Sequence, residues 1–223
     1  MVGGMRFFDD TRYLRTVRAE RRPPSAARCV PGSVILDAGC GEGRNAVPLA
    51  RAGYRVVGLD RSRRLLEAAP RHARLRLVCG SYEQMPFRDS TFDAVLLLGT
   101  ALGYSAEAAD RRALSEARRV LAPGGRLVVE TLHRDEIGDA LREHEERELP
   151  ARHTLCFDRR FDRRDSVLHE IQSLDGGTPI DYELRVYSAK DLVSMVEDAG
   201  FEIVSVEATP VTPLVLVGRS SPP

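Results

Sequence analysis

Asp37, Gly39, Gly41 and Gly43 occupy alternate positions of VILDAGCGEGRN, residues 34–45, where an apolar run ends. Glycine has no side chain and tolerates positive φ, so such a loop lets backbone approach a bound molecule closely. Asp37, two residues before the first glycine, sets the sign of charge the loop favours: it would repel a pyrophosphate and suits a cation. Asp60 ends the next apolar run, 17 residues after Gly43, near the spacing at which an acidic side chain hydrogen-bonds the two hydroxyls of an adenosine ribose. Gly41, Gly43 and Ala46 also fit the G-x-G-x-x-A pattern of dinucleotide sites, which is weak taken alone.

These residues need strands to hold them at one sheet edge. From residue 34 onward, apolar runs alternate with helical patterns, the signature of parallel β-α units. VILDAG, RVVGLD, LRLVCG, FDAVLLLG and RLVVETL read as five strands. Between them fall NAVPLARAG, SRRLLEAAP with Ser62 as N-cap, and an Ala/Arg/Glu-rich helix over 106–121. In an open α/β sheet, ligands sit outside the carboxyl ends of the strands, which is where the glycine loop falls.

The pattern then changes over residues 133–187. A charged helix, DEIGDALREHEERE, precedes three strand-like runs, HTLCFDRRFD, SVLHEIQSL and IDYELRVY, whose connecting turns predict an antiparallel meander. This reads as an insertion after strand five in a single domain spanning 1–223. SAKDLVSMVEDAG follows with a capping-box pattern at Ser188 and Asp191, and FEIVSVEAT and PLVLVG supply two closing strands.

Composition limits the function classes. Thirty-three basic residues balance thirty-three acidic ones, so no positive field advertises nucleic-acid binding. No apolar run approaches the roughly 20 residues needed to cross a bilayer. The four cysteines lack Cys-x-x-Cys spacing, and the N-terminus lacks the apolar stretch of a secretory signal. The expectation is a cytoplasmic protein, monomeric or homodimeric, with reduced thiols, no structural metal and no membrane or nucleic-acid partner.

Four segments, in order and spacing, resemble the class I S-adenosylmethionine-dependent methyltransferases: LDAGCGEGRNAVPLA, VVGLDRSRRLLEAA, MPFRDSTFDAVLLLG and LAPGGRLVVE. The resemblance covers roughly residues 33–132, with the final helix and strand pair also matching. It implies a doubly wound, mostly parallel seven-stranded sheet of order 3-2-1-4-5-7-6, the last strand antiparallel, and the small antiparallel insertion over 133–187 is expected to cover the acceptor site. It further implies S-adenosylmethionine as cofactor, with its ammonium and sulfonium matched to Asp37 and no phosphate to repel. Gly39, Gly41 and Gly43 would wrap the methionine end, Asp37 fix the ammonium, Asp60 hold the ribose, and Gly99 meet the methionine moiety. Where the family often has an aspartate after strand three, this chain reads CGSYEQMPF with Ser81; Ser81, a backbone N–H of Tyr82 and the side chain of Arg61 are the adenine candidates. Tyr13, on a leading segment that in the family often lids the cofactor, is the candidate for the methionine carboxylate.

A sulfonium is a strong leaving group, so methyl transfer asks mainly that the acceptor atom be held in line. A hydroxyl or protonated amine acceptor gains from a general base. The candidates lie at the carboxyl ends of strands four and five: Thr100 and Tyr104 in GTALGYS, and His133, an imidazole expected to face the ligand crevice. His153, His169, Arg185 and Tyr187 in the insertion read as serving that sheet's own packing and surface. The acceptor expected is a nitrogen or oxygen of a small metabolite such as a natural-product intermediate; an RNA or protein acceptor and a noncatalytic adenosine-ligand sensor are the alternatives.

Overall fold

The computed structural model describes residues 29–135, 137, 141–149, 152–209 and 212–220. The first strand, β1 (Val34–Ala38), leads through the glycine loop to α1 (Ala46–Arg51), β2 (Arg55–Asp60), α2 (Arg63–Ala68) and β3 (Leu75–Cys79). After β4 (Phe92–Leu97), α3 (Glu107–Val120) crosses back to β5 (Leu121–Thr131). The insertion contributes β6 (His144–Leu149), β7 (His153–Asp162), β8 (Val167–Leu174) and β9 (Ile180–Arg185); α4 (Ala189–Asp198), β10 (Phe201–Thr209) and β11 (Thr212–Ser220) close the chain.

The main sheet has the order β3-β2-β1-β4-β5-β11-β10, with β11 antiparallel to both neighbours. This is the sheet the sequence pattern and the resemblance imply. Alternation along β1 divides the core: Ile35 packs with Leu49 and Ala50 of α1, while Leu36 joins Leu114 of α3 and Leu192 and Val196 of α4 on the opposite face. Local signals act as read: Pro48 lies in the first turn of α1, the Ser62 hydroxyl accepts from Leu65 N–H, and Ser188 and Asp191 close a capping box. Among the described residues no helix is long and apolar enough to cross a membrane.

The insertion is a four-stranded antiparallel sheet, β6-β7-β8-β9. Its last three strands fall on the three runs that the turn signals separate. Residues 144–148, read as the end of a charged helix, instead belong to β6. The reason is a partner distant in sequence. Glu145 pairs with Arg159 at 2.6 Å, and the Arg147 guanidinium lies 5.2 Å from the centre of the Phe157 ring, so the ladder to β7 outweighs the modest helix preference of Glu and Arg.

Backbone hydrogen bonds help dock the insertion on the main sheet. Arg185 N–H donates to the Gly103 carbonyl at 2.9 Å, and Arg134 N–H donates to the Tyr187 carbonyl at 3.0 Å beside a His133–Tyr187 bridge. Asp110 of α3, 1% exposed, holds the same junction: it accepts from Gly103 N–H at 3.0 Å and from Tyr187 OH at 2.6 Å. Burial raises this carboxyl above its ordinary range, while the Tyr187 and Gly103 donors pull it back.

Candidate active site

The glycine loop is pinned to β2. Gly39 N–H and Cys40 N–H both donate to the Leu59 carbonyl, at 2.8 and 3.1 Å, and Gly41 N–H donates to Asp60 Oδ2 at 2.8 Å. The other Asp60 oxygen accepts from Ser62 N–H, also at 2.8 Å. Asp60 therefore organises the turn on either side of it while staying at the cleft wall. Gly39, Gly41 and Gly43 have φ of +84°, +53° and +81°, values that a side chain would strain.

A cleft opens at the carboxyl ends of the strands. Gly39, Asp60 and Arg61 form one side, Gly80 to Glu83 the end nearest β3, and Leu98 to Ala101 with Tyr104 the side beyond β4. Eight of the residues singled out from the sequence meet there: Gly39, Asp60, Arg61, Ser81, Tyr82, Gly99, Thr100 and Tyr104. Gly41 and Gly43 are not among the lining residues; a methyl group built on them would meet Leu65 and Val47 respectively. Tyr13 lies outside the described residues.

His133 is not among the lining residues. It sits at the end of β5 in the bridge with Tyr187, so its position serves the docking of the insertion. His153 pairs with Asp175 at 2.7 Å and His169 with Glu183 at 3.1 Å, both within the insertion sheet. Gly80, Glu83, Leu98 and Ala101 are lining residues that the sequence reading did not single out. Ala101 has a visible purpose: its carbonyl accepts from Tyr82 OH at 2.8 Å, tying the two walls together.

Asp37 is not among the lining residues, and its electrostatic setting near Asp60 is unusual. Asp37 is 1% exposed, and its Oδ2 is buried with no hydrogen-bond partner. Burial, and then the nearby charge of Asp60, push its carboxyl up to about 7, against a hydrogen bond from the Ala46 backbone and the charge of Arg44. A buried carboxylate with an unmet oxygen is stabilised by a cation placed near it. Because the native value lies above the ordinary 3.8, stability from this group is full in acid and is lost as pH rises through about 7.

On the far wall, Thr100 has φ +63°, in the left-handed region, and its hydroxyl donates to the Gly99 carbonyl at 2.5 Å. Thr100 Oγ1 also lies within hydrogen-bond distance, 3.3 Å, of Tyr104 OH. Tyr104 packs among Leu168, Leu184 and Tyr182 of the insertion, so one side chain joins the cleft to the second sheet.

The likeness to known proteins agrees with this geometry. A family model described as a methyltransferase domain matches residues 35–125. A demethylmenaquinone methyltransferase of Tropheryma whipplei is 32% identical over 184 residues, covering 77% of this chain and 67% of that protein. The chain spans about half the length of other demethylmenaquinone methyltransferases it matches. Among solved structures, the CcbJ methyltransferase from Streptomyces caelestis superposes with a TM-score of 0.78 at 23% identity, covering 96% of this chain and 98% of that one. The S-adenosylmethionine-bound CalS10 from Micromonospora echinaspora, an amino pentose methyltransferase, gives 0.69 at 23% identity, covering 98% and 94%. The chain belongs to the class I S-adenosylmethionine-dependent methyltransferase family.

Proposed function

We propose that this protein transfers a methyl group from S-adenosylmethionine to a nitrogen or oxygen of a small metabolite held between the cleft and the insertion sheet. The observation that carries the reading is the position of Tyr104, which lines the cleft on one side and packs under Tyr182, Leu168 and Leu184 on the other. A sheet closed over the site suits a compact acceptor better than an open polymer. CalS10, by its description, acts on an amino pentose in calicheamicin biosynthesis, which supports a natural-product intermediate as acceptor.

The residues present fit the cofactor. The unmet Asp37 oxygen supplies negative charge for the ammonium, Asp60 stands where a ribose diol is accepted, and the bare backbone of Gly39 and Gly99 admits the methionine end. In this reading Ser81, Tyr82 and Arg61, which line the cleft, hold the adenine. When bound, S-adenosylmethionine supplies a methyl carbon on a sulfonium leaving group. The chain's own contribution is then to orient and to exclude water, with Tyr104 and Thr100 facing the side from which an acceptor would approach.

One consequence concerns protons. A cation beside Asp37 favours its ionised form, so cofactor binding should expel close to one proton at pH 6 and about half of one at pH 7, from a carboxyl standing at about 7. Affinity should rise with pH up to that value. Calorimetry in buffers of different ionisation enthalpy reads the proton count, and a count of zero at pH 6 would remove Asp37 from the cofactor's surroundings.

The activity test is release of S-adenosylhomocysteine from S-adenosylmethionine across a panel of amine and hydroxyl metabolites. Tyr104→Phe keeps the ring against Tyr182 and removes the hydroxyl beside Thr100. It should lower kcat about tenfold, the equivalent of one hydrogen bond of ~1.4 kcal/mol, with cofactor affinity unchanged. An unaltered kcat would place the acceptor elsewhere.

A further inference from the structure

The inward face of the insertion sheet is apolar at its edges and charged at its centre. Leu155, Phe157, Leu168 and Leu184 are buried on it, yet Glu170 of β8, only 6% exposed, stands among them. Cross-strand register puts Arg159 and Tyr182 on either side of Glu170. Arg159 Nε donates to Glu170 Oε2, while Tyr182 OH and Gln172 Nε2 donate to Oε1. Arg159 also donates to Glu145 at 2.6 Å.

Charge and position point the same way. Among the described residues, the enclosed part of this network has two carboxylates, Glu145 and Glu170, around one guanidinium, Arg159; the remaining cation, Arg147, meets Glu145 with its own side chain 53% exposed. Simple docking of the sheet does not call for such a centre, since replacing a buried ion network by apolar side chains is often neutral or stabilising. The network also adjoins the cleft. The Tyr182 ring is 5.7 Å from that of Tyr104, whose phenol is raised by burial and, more weakly, by the charge of Glu170, against the lowering contact of Thr100.

Resting on the acceptor site argued above, we propose that Glu170 is the specificity-determining residue for a positively charged amino group on the acceptor. Two aromatic rings with a buried carboxylate behind them are the chemistry that recognises an ammonium. The acceptor class is then a small molecule bearing a basic amine. Glu170 discriminates charge here and is asked to move no proton.

The test uses benzylamine and its neutral isostere benzyl alcohol as probes, titrated into the full chain saturated with S-adenosylhomocysteine. Benzylamine should bind at least tenfold more tightly, with magnetisation transfer from the ring protons of Tyr104 and Tyr182. In Glu170→Gln that preference should vanish while S-adenosylhomocysteine still binds. Equal affinity for the two probes in the unaltered protein, contacts to other residues, or a preference that survives in Glu170→Gln would each overturn the assignment. The first two readouts need no variant and stand even if Glu170→Gln does not fold. Failure of the unaltered chain to bind S-adenosylhomocysteine would instead overturn the cofactor reading, and this proposal with it.

Discussion

Gly103→Ala is expected to unseat the insertion sheet while leaving the main sheet folded. Gly103 has φ +102°, and a methyl group built on it would stand 2.3 Å from the Arg185 carbonyl oxygen and 2.9 Å from Leu184 Cδ1. The first contact is with backbone, which cannot rotate away. Relief requires separating the loop from β9, which breaks the bond of 2.9 Å between Arg185 N–H and the Gly103 carbonyl and pulls Gly103 N–H from buried Asp110. Strain plus lost buried hydrogen bonds should destabilise by about 3 kcal/mol or more. In a chain of this size that lowers Tm by about 6–12 °C. Thermal unfolding gives the shift, and methyl transfer should fall further than S-adenosylhomocysteine affinity, because Tyr104 follows the displaced residue directly. A variant with unchanged Tm and turnover would show that the junction does not hold the acceptor side in place.

The second large effect is expected at Asp60. Its two oxygens bind Gly41 N–H and Ser62 N–H, and the side chain lines the cleft at only 8% exposure. Asp60→Ala removes the anionic acceptor for the ribose and, with it, the clamp that shapes the glycine loop. Hydrogen bonds to a charged group are worth about 1.5–3 kcal/mol each, so cofactor affinity should fall about a hundredfold or more. Asp60→Asn, which keeps one oxygen for the loop, should fall between this and the unaltered protein. Calorimetric titration with S-adenosylmethionine measures both, and equal affinity in all three would sink the ribose assignment.

What the sequence reveals about this site follows from the range of the forces involved. The glycine loop, Asp60 and the alternating strands and helices were legible because their determinants lie within a few residues: a glycine where φ is positive, an acid at a strand end, a serine at a helix cap. Strand β6 was not legible in the same way. Its Glu and Arg residues suit a helix until Arg159 and Phe157 are known to face them. His133 shows a related limit, since a strand end narrows where a residue sits but not what it meets; its bridge with Tyr187 is decided by the return of the insertion. The charged centre was half visible. Alternation in SVLHEIQSL places Leu168, Glu170 and Gln172 on one face, but nothing local says that this face is the buried one.

The most direct test of the central claim is calorimetric titration of the chain with S-adenosylmethionine, S-adenosylhomocysteine and NADH. The cleft lined by Gly39 and Asp60, with the buried Asp37 carboxyl near Asp60, predicts one saturable site per chain for the two sulfur compounds and no heat with NADH. Saturable binding of NADH, with neither sulfur compound bound, would contradict the assignment of the cleft and make hydride transfer the chemistry to pursue.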